Sequence, residues 1–451
     1  MKKKISFIVL LAAFLTSCDY GDLNVDPNSP SEAVVPLSLM LPSAEASLAY
    51  NLGGRSSWYT GMFTAHLTGV NAQPNDFANY NIGESDVDGL WRDYYATTLT
   101  TLNTIVTKAE ADGAVHYAGV AKVLIANSMG TITSFWGDVP YSDALKASTG
   151  DFTPTYDTQQ AVYASIQTLL TAAIANLSAT TSTLSPGADD LIYNGNLANW
   201  IRTAHALKAR YFMHTFNING NTAASSALTS LASAYTSNAQ QAKLTFGVTE
   251  QDASPWYQLN TDRPDVRVNA YFKNILVTLA DPRIGRYVDT RGASGDFVGS
   301  FFSSINSAVP IISFAECEFL RAEALYRTGG AGAQAALQSA ITASLVDVTG
   351  ANNPAYVTAN GTLSGTAAQQ LTTIMTQKYI ALFTQPESWT DWRRTKIPAL
   401  TPVSTSVKNV SNPNGEIPRR LAYPISERLF NASNITSANP SVQTPKMWWD
   451  N

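Results

Sequence analysis

Apolar residues in this chain recur at helical spacing and hardly anywhere at strand spacing. Ile166, Leu169, Leu170, Ala173, Ile174 and Leu177 fall at i, i+3, i+4, i+7, i+8 and i+11. Leu371, Ile374, Met375, Tyr379, Leu382 and Phe383 keep a similar rhythm, as do Leu337, Ala340, Ile341, Ser344 and Leu345. Each set is the one-sided stripe of a packed amphipathic helix. Further helices are expected near 32–50, 56–69, 86–111, 115–135, 197–216 and 266–280. Only Leu244–Val248 offers a weak strand pattern.

The helices are expected in pairs. Residues 314–328 and 332–346 flank Thr328-Gly329-Gly330, a break short enough to fold them back as a hairpin. Ala322, Ala324, Ala331, Ala333, Ala335 and Ala336 are small enough for close helix contact there. Hairpins with small residues at the seam point to tetratricopeptide-like repeats, although the full repeat consensus is missing. The expected fold is therefore mainly α, with helical-hairpin repeats packed against an irregular, loop-rich half. That half is expected around 245–310, which carries Pro255, Pro264, Pro282 and Pro310 among many Gly and Ser.

The N-terminus reads as an export signal. Met1-Lys2-Lys3-Lys4 precedes an apolar run from Ile5 to Leu15, too short for the ~20 residues of a membrane span. Leu15-Thr16-Ser17-Cys18 then resembles a bacterial lipobox, in which the Cys thiol takes up a diacylglycerol as a thioether. Residues 1–17 are expected as a signal peptide, Cys18 as the lipid attachment site, and 18–30 as a polar, acidic tether. Residues 31–451 are expected as a single domain. No later stretch has the ~18 continuous apolar residues of a membrane-crossing helix.

Charge and cysteine usage narrow the function further. Formal charge is −5. Losing Lys2, Lys3 and Lys4 with the signal lowers it by three, to −8, with no basic stripe, so nucleic acid is not expected as a partner. Charged residues are only 14% of the chain against about a quarter in typical domains. Ser, Thr, Asn and Gln must supply much of the polar surface, which suits neutral polar ligands. With Cys18 lipidated, Cys317 stands alone in a helical pattern, Phe314–Leu320, and reads as a buried thiol. His66, His116, His205 and His214 are not spaced with Cys or carboxylate partners for metal ligation. No phosphate loop or nucleophile elbow appears. Glu316 and Glu318 lie two apart on a helix and face different ways. A distant glycosidase pair of carboxylates stays open on sequence grounds, but nothing points to one. No catalytic residue, metal or cofactor is assigned.

The most distinctive stretches lie toward the C-terminus: Glu387-Ser388-Trp389-Thr390-Asp391-Trp392-Arg393-Arg394, then Ile417-Pro418-Arg419-Arg420-Leu421-Ala422-Tyr423-Pro424. With Trp136-Gly137-Asp138-Val139-Pro140-Tyr141, Asp281-Pro282-Arg283 and Asn24-x-Asp26-Pro27-Asn28, they resemble the SusD/RagB family of outer-membrane nutrient-binding lipoproteins. The resemblance spans essentially the whole chain and rests on the order of its motifs. It implies a tetratricopeptide-like helical domain with an irregular half, no catalysis, and a place on the outer face of a Bacteroidetes outer membrane. It also implies a TonB-dependent β-barrel transporter (SusC-like) as partner, to which an oligosaccharide or, in some members, a peptide is handed. A surface hydrolase and a purely structural adaptor are the competing classes. Arg393 and Arg394 are expected to pair internally with Asp391 or Glu387 and pin the C-terminal turn.

Sugar rings have apolar C–H faces and hydroxyl edges, so a glycan site combines aromatic platforms with amide or hydroxyl groups. Two loops have that composition. Phe77 and Tyr80 lie among Asn71, Gln73, Asn75, Asp76, Asn79 and Asn81. Trp256 and Tyr257 precede Gln258, Asn260, Asp262 and Arg263. Phe301 and Phe302 sit in a Gly/Ser loop. These six aromatics are the expected ligand contacts. Trp91, Tyr94 and Tyr95, at helical spacing, are expected in the core.

Overall fold

The computed structural model describes residues 35–146, 150–436 and 440–450. The expected signal peptide, Cys18 and the tether lie outside the described residues.

The helical stripes become a succession of packed helices. The N-terminal group is α1 (Leu37–Asn51), α2 (Ser57–Phe63), α3 (Ala72–Ala78) and α4 (Glu84–Arg92). The long series follows: α5 (Thr100–Ala111), α6 (Val115–Trp136), α7 (Gln159–Leu177), α8 (Leu197–His214) and α9 (Phe216–Leu231). Within the loop-rich part lie α10 (Pro255–Asp262) and α11 (Ala270–Thr278). The C-terminal group is α12 (Phe314–Arg327), α13 (Ala333–Thr349), α14 (Pro354–Asn360), α15 (Ala367–Ala381) and α16 (Glu387–Thr395). Each long helix packs on the next in sequence, α5 on α6, α6 on α7, α7 on α8, α8 on α9, and α9 then packs on α12 and α12 on α13 and α15. That nearest-neighbour stacking is the repeat architecture expected.

Local chemistry sets the helix starts. The side chains of Thr158, Asn196, Ser254, Ser313 and Thr366 each accept a hydrogen bond from a backbone N–H in the first turn of α7, α8, α10, α12 and α15. The seams need small residues, as expected, but not every one named. Ala322 and Ala336 share one buried cluster across α12 and α13 and Ala324 is buried too, whereas Ala331 and Ala335 are exposed at the turn. Where α6 crosses α8, a Cβ on Gly130 would stand 2.2 Å from the Tyr211 ring, so the two helices approach over bare backbone there.

Three expected helices are interrupted. Residues 56–69 give α2 and then a strand, β1 (Leu67–Gly69); 266–280 give a strand, β3 (Val266–Val268), and then α11; and β1 pairs antiparallel with β3. The weak strand at 244–248 is shifted: β2 is Ala242–Thr245, antiparallel to β6 (Ala308–Ile312). A third antiparallel pair joins β4 (Val288–Thr290) and β5 (Asp296–Val298). The expected helix 86–111 divides into α4, a wider π-helical segment Asp93–Leu99, and α5.

The sequence motifs are structural ties. Trp136 Nε1 donates to Ala422 O at 2.8 Å and the Tyr423 hydroxyl to Asp138 O at 2.6 Å, binding the Trp136–Tyr141 turn to the Ile417–Pro424 segment. Arg283 is fully buried and donates to Asp281 at 2.6 Å and to Ser344 Oγ at 2.7 Å. Arg394 pairs with Asp391 as expected, at 2.7 Å, and also with Glu323 at 2.5 Å. Arg393 departs from the expectation: its guanidinium donates to the carbonyls of Ser134 and Arg419 and stacks 3.7 Å from the Trp389 ring centre. Cys317 is a buried free thiol whose pKa burial pushes up. Glu316 pairs with Arg210 and Glu318 with Arg321, so the two acids do face apart. Among the described residues no helix is long and apolar enough to cross a membrane.

Candidate functional site

Four of the six expected aromatics are core residues. Phe77 sits on α3 with its ring 4.1 Å from Tyr59 and 4.9 Å from Trp58, and is fully buried. Tyr80 is buried against Phe63, and burial pushes its hydroxyl up to about 12. Trp256 is buried with its Nε1 donating to Ser57 Oγ at 3.1 Å. Phe302 is buried beside Tyr287 and Phe383. The physical reason is common to all four: a large ring gains more from apolar contact than its polar chain neighbours can offset, and those neighbours turn outward instead. Phe302 borders small cavities of about 60 and 10 Å³, the second of them with Trp256. Tyr257 and Phe301 are half-buried, and Phe301 lines a small cavity of about 60 Å³ with Tyr287, Lys243 and Asp347. The structure therefore does not gather the six into one surface. Trp91 and Tyr94 are core, as expected.

A larger concavity lies elsewhere, between two irregular helix turns. Helix α1 runs into the π-helical segment Leu52–Ser56, where Gly54 leaves helical geometry altogether (φ −92°, ψ −116°). Opposite it stands the π-helical segment Asp93–Leu99. Such widened turns recur at functional sites because they re-aim side chains. Here they are laced together: Ser47 Oγ meets Thr98 Oγ1 at 2.7 Å, Asn51 Nδ2 donates to Thr98 Oγ1 at 3.1 Å, and Arg55 Nη1 donates to Asp93 Oδ2 at 2.8 Å. Helix α10 and the loop after β2 supply the far wall. The Tyr50 hydroxyl donates to Gln258 Oε1 at 2.7 Å, and Gln258 Nε2 donates to Ala253 O at 3.2 Å.

The result is a groove of two adjoining lobes that share Tyr50, Asn51, Asp93 and Gln258. The wider lobe, about 750 Å³, is completed by Ser47, Thr97, Phe246, Gln251 and Asp252 among others. The narrower, about 360 Å³, adds Arg55, Trp58, Arg92, Asp262 and Arg263. These are the dimensions of small-ligand sites. Tyr50 is 47% exposed, the largest aromatic surface the groove offers, and its hydroxyl is anchored by Gln258, which limits how the ring can turn. Burial raises the Tyr50 pKa, partly offset by Arg55, so it stays a neutral donor at physiological pH. Asp252 is fixed by the Thr249 hydroxyl and N–H, which hold its carboxyl below the usual range. A Cβ on Gly247 would strike that carboxylate at 1.8 Å, so this wall is a tight, preformed loop. The groove thus combines one anchored ring with amides, hydroxyls and carboxylates.

The expected loop at 255–263 contributes after all, through Gln258, Asp262 and Arg263 rather than through Trp256. Tyr50, Asn51, Arg55 and Asp93 were not anticipated. Their one sequence signal is Gly53-Gly54 within an otherwise helical run, a mark of a break or close approach. The enclosed space beside Arg210, His214 and Glu387 is only about 30 Å³, room for a water and nothing larger. Among the described residues no three His, Cys, Asp or Glu side chains cluster as metal ligands.

Stacked helical pairs carrying a polar–aromatic groove place this chain in the helical-repeat class. The comparisons make that specific. Residues 27–424 match the SusD-like family described as "Starch-binding associating with outer membrane", and the chain belongs to that family. Its fold is similar to that of a chitin-binding protein (TM-score 0.79, 23% identity, covering 92% of this chain and 100% of that one). It is also similar to a SusD/RagB family protein from Bacteroides thetaiotaomicron (TM-score 0.74, 23% identity, 92% and 99% covered). A third neighbour is a chitin-binding SusD homolog from Flavobacterium johnsoniae (TM-score 0.76, 20% identity, 91% and 98% covered). At these identities the likeness establishes the shared fold. No curated protein matches the sequence.

Proposed function

We propose that this protein is a non-catalytic surface lipoprotein that captures an oligosaccharide in the two-lobed groove and delivers it to a TonB-dependent outer-membrane transporter. Cys18 carries the lipid in this reading, and the domain faces the cell exterior. The observation that carries the proposal is Tyr50: an exposed ring whose hydroxyl is pinned by Gln258, flanked by Asn51, Asp93 and Gln251. A sugar ring stacks its C–H face on such a platform while its hydroxyls find amides and carboxylates at the rim. The family description and the chitin-binding neighbours support a glycan as the ligand class.

The test is titration calorimetry of the full-length chain in detergent against malto-, chito- and xylo-oligosaccharides and their acidic counterparts. Binding of at least one, weakened roughly tenfold or more in Tyr50→Ala, is the expected result. Binding of short peptides with no glycan bound would transfer the groove to oligopeptide capture. Turnover of a polysaccharide would overturn the non-catalytic reading.

A further inference from the structure

We infer that the groove reads its ligand in one direction, taking an oligosaccharide with an acidic substituent, carboxylate or sulfate, on the sugar held at the narrower lobe. The inference rests on the glycan reading above and adds a substrate class to it.

The two lobes differ in charge. The wider lobe is lined by the carboxylates of Asp93 and Asp252 and by no cationic side chain. The narrower lobe brings three guanidiniums together, Arg55, Arg92 and Arg263, against Asp93 and Asp262. Arg55 and Arg92 both reach Asp93, Arg92 through one long contact, and Arg263 is left without an internal pair. Arg55 is engaged with Asp93 at 2.8 Å. Arg92 reaches Asp93 only at 3.4 Å, with 71% of its side chain exposed. Arg263 is exposed, directly after the last turn of the α10 wall, and its guanidinium makes no hydrogen bond or ion pair among the described residues.

A guanidinium holding open donors is suited to a planar carboxylate or a sulfate, which it binds through two parallel N–H···O bonds. At the other end the same anionic group would face the Asp252 carboxylate with no guanidinium lining that lobe to offset it, and like charges repel. A neutral residue is therefore favoured in the wider lobe and an acidic one in the narrower, with Tyr50 and Gln258 between them. The shared position of Asp93 sharpens this polarity. Arg55 fixes its carboxylate at the junction of the two lobes, so the unpaired guanidinium of Arg263 lies on the narrower side.

The experiment compares matched ligands by calorimetry on the full-length chain in detergent. The pairs are tetragalacturonate against its methyl ester, and a sulfated chondroitin tetrasaccharide against its desulfated form, with neutral malto-, chito- and xylo-tetraose alongside. The expected result is tenfold or tighter binding of the acidic member of at least one pair. That preference should shrink below twofold in Arg92→Gln/Arg263→Gln and weaken steadily with added salt. Neutral tetrasaccharides bound while neither acidic chain binds, an acidic and neutral member bound equally, or a preference that survives the double substitution would each overturn the inference and leave the glycan reading standing. Failure of every glycan, including the neutral set, would overturn both. Tyr50→Ala serves as the reference: it should weaken acidic and neutral members alike, because the ring contributes stacking and not charge.

Discussion

Tyr50 and Gln258 lie 208 positions apart in the chain and meet hydroxyl to amide at 2.7 Å, joining the end of α1 to α10 across the groove. The bond sets the angle of the only large exposed ring in the site. Tyr50→Ala is expected to lower oligosaccharide affinity by roughly ten- to a hundredfold, about 1.4–2.8 kcal/mol, since it removes both the stacking face and its anchor. Tyr50→Phe and Gln258→Leu each break the same bond while leaving the ring. Each should cost a few-fold, and the double variant should be no weaker than the worse single, the mark of a shared interaction. Calorimetry on the four proteins measures this. A fully additive double variant would show that the two residues act independently.

Arg394 is enclosed by Glu323 at 2.5 Å and Asp391 at 2.7 Å, while Lys378 lies 2.7 Å from the other Asp391 oxygen. All four side chains are at most 7% exposed. The cluster ties α12, α15 and α16 together. Breaking one partner of a buried pair strands the other charge, so Arg394→Met is expected to destabilise by about 3–5 kcal/mol. Denaturant melts give the loss. If groove binding at saturating folded fraction is unchanged, the cluster serves the scaffold alone.

Much of this architecture was legible. The stripe Ile166, Leu170, Ala173 and Leu177 is buried along one side of α7, and the break at Thr328-Gly329-Gly330 separates α12 from α13. Three-dimensional packing enforces the same periodicity that the sequence displays. The motif residues Trp136, Trp389, Arg283 and Arg394 proved to be internal ties. The site was far less legible. A π-helical segment has nearly the same residue pattern as the α-helix around it, so Trp91, Tyr94 and Tyr95 gave no sign of the widened turn that re-aims Asp93. The groove also draws on α1, Asp93–Leu99 and α10, three stretches that meet only after folding. Polar neighbours misdirected the choice of aromatics: Phe77 stands amid Asn and Asp yet is buried, because alternate faces of a short helix can serve core and water at once.

Gly130 and Tyr211 define the closest approach of α6 and α8. A methyl group on Gly130 would lie 2.2 Å from the Tyr211 ring, well inside contact distance. Gly130→Ala is expected to cost about 1–3 kcal/mol through overpacking, despite the better helix propensity of alanine. Tyr211→Leu in the same chain should restore part of it by vacating the ring. The thermal melts of both singles and the double decide: a double variant as unstable as the sum of the singles would mean the clash is relieved elsewhere.

Membrane attachment and ligand capture should separate cleanly. If Cys18 carries the lipid as proposed, Cys18→Ala is expected to move the protein from the membrane fraction to the soluble one, because the acyl chains supply the anchoring. The groove is built wholly from residues 46–263, so oligosaccharide affinity should stay within twofold. Loss of binding together with release would show that the N-terminal stretch takes part in the site.

Stability in acid should fall in two stages with different owners. His66 is fully buried, stacked on Tyr379 with ring centres 4.1 Å apart, and its Nε2 lies 3.0 Å from Tyr379 O. Burial lowers its pKa to about 3 from an ordinary 6.5. The unfolded chain therefore takes up a proton that the folded one refuses, and stability drops as pH falls from 6.5 toward 3, by at most about 1.4 kcal/mol per pH unit. Glu323 and Glu387 are held down to about 2 from 4.5, against burial, by Arg394 and by His214 respectively. Their contribution is complete above pH 4.5 and is lost as pH falls from there toward 2. Between pH 6.5 and 5 the histidine alone of these three titrates. His66→Phe fits among Phe272, Tyr379 and Phe383 and forfeits one hydrogen bond, so its melting temperature at pH 7.5 should be somewhat lower. Its decline between pH 6.5 and 5 should nonetheless be shallower than that of the natural chain, while the steep loss below pH 4.5 persists. Glu323→Gln should do the reverse, flattening the lower stage only. Melting curves of the three proteins at half-unit pH steps measure both stages, and parallel declines across the upper stage would show that His66 is not its source.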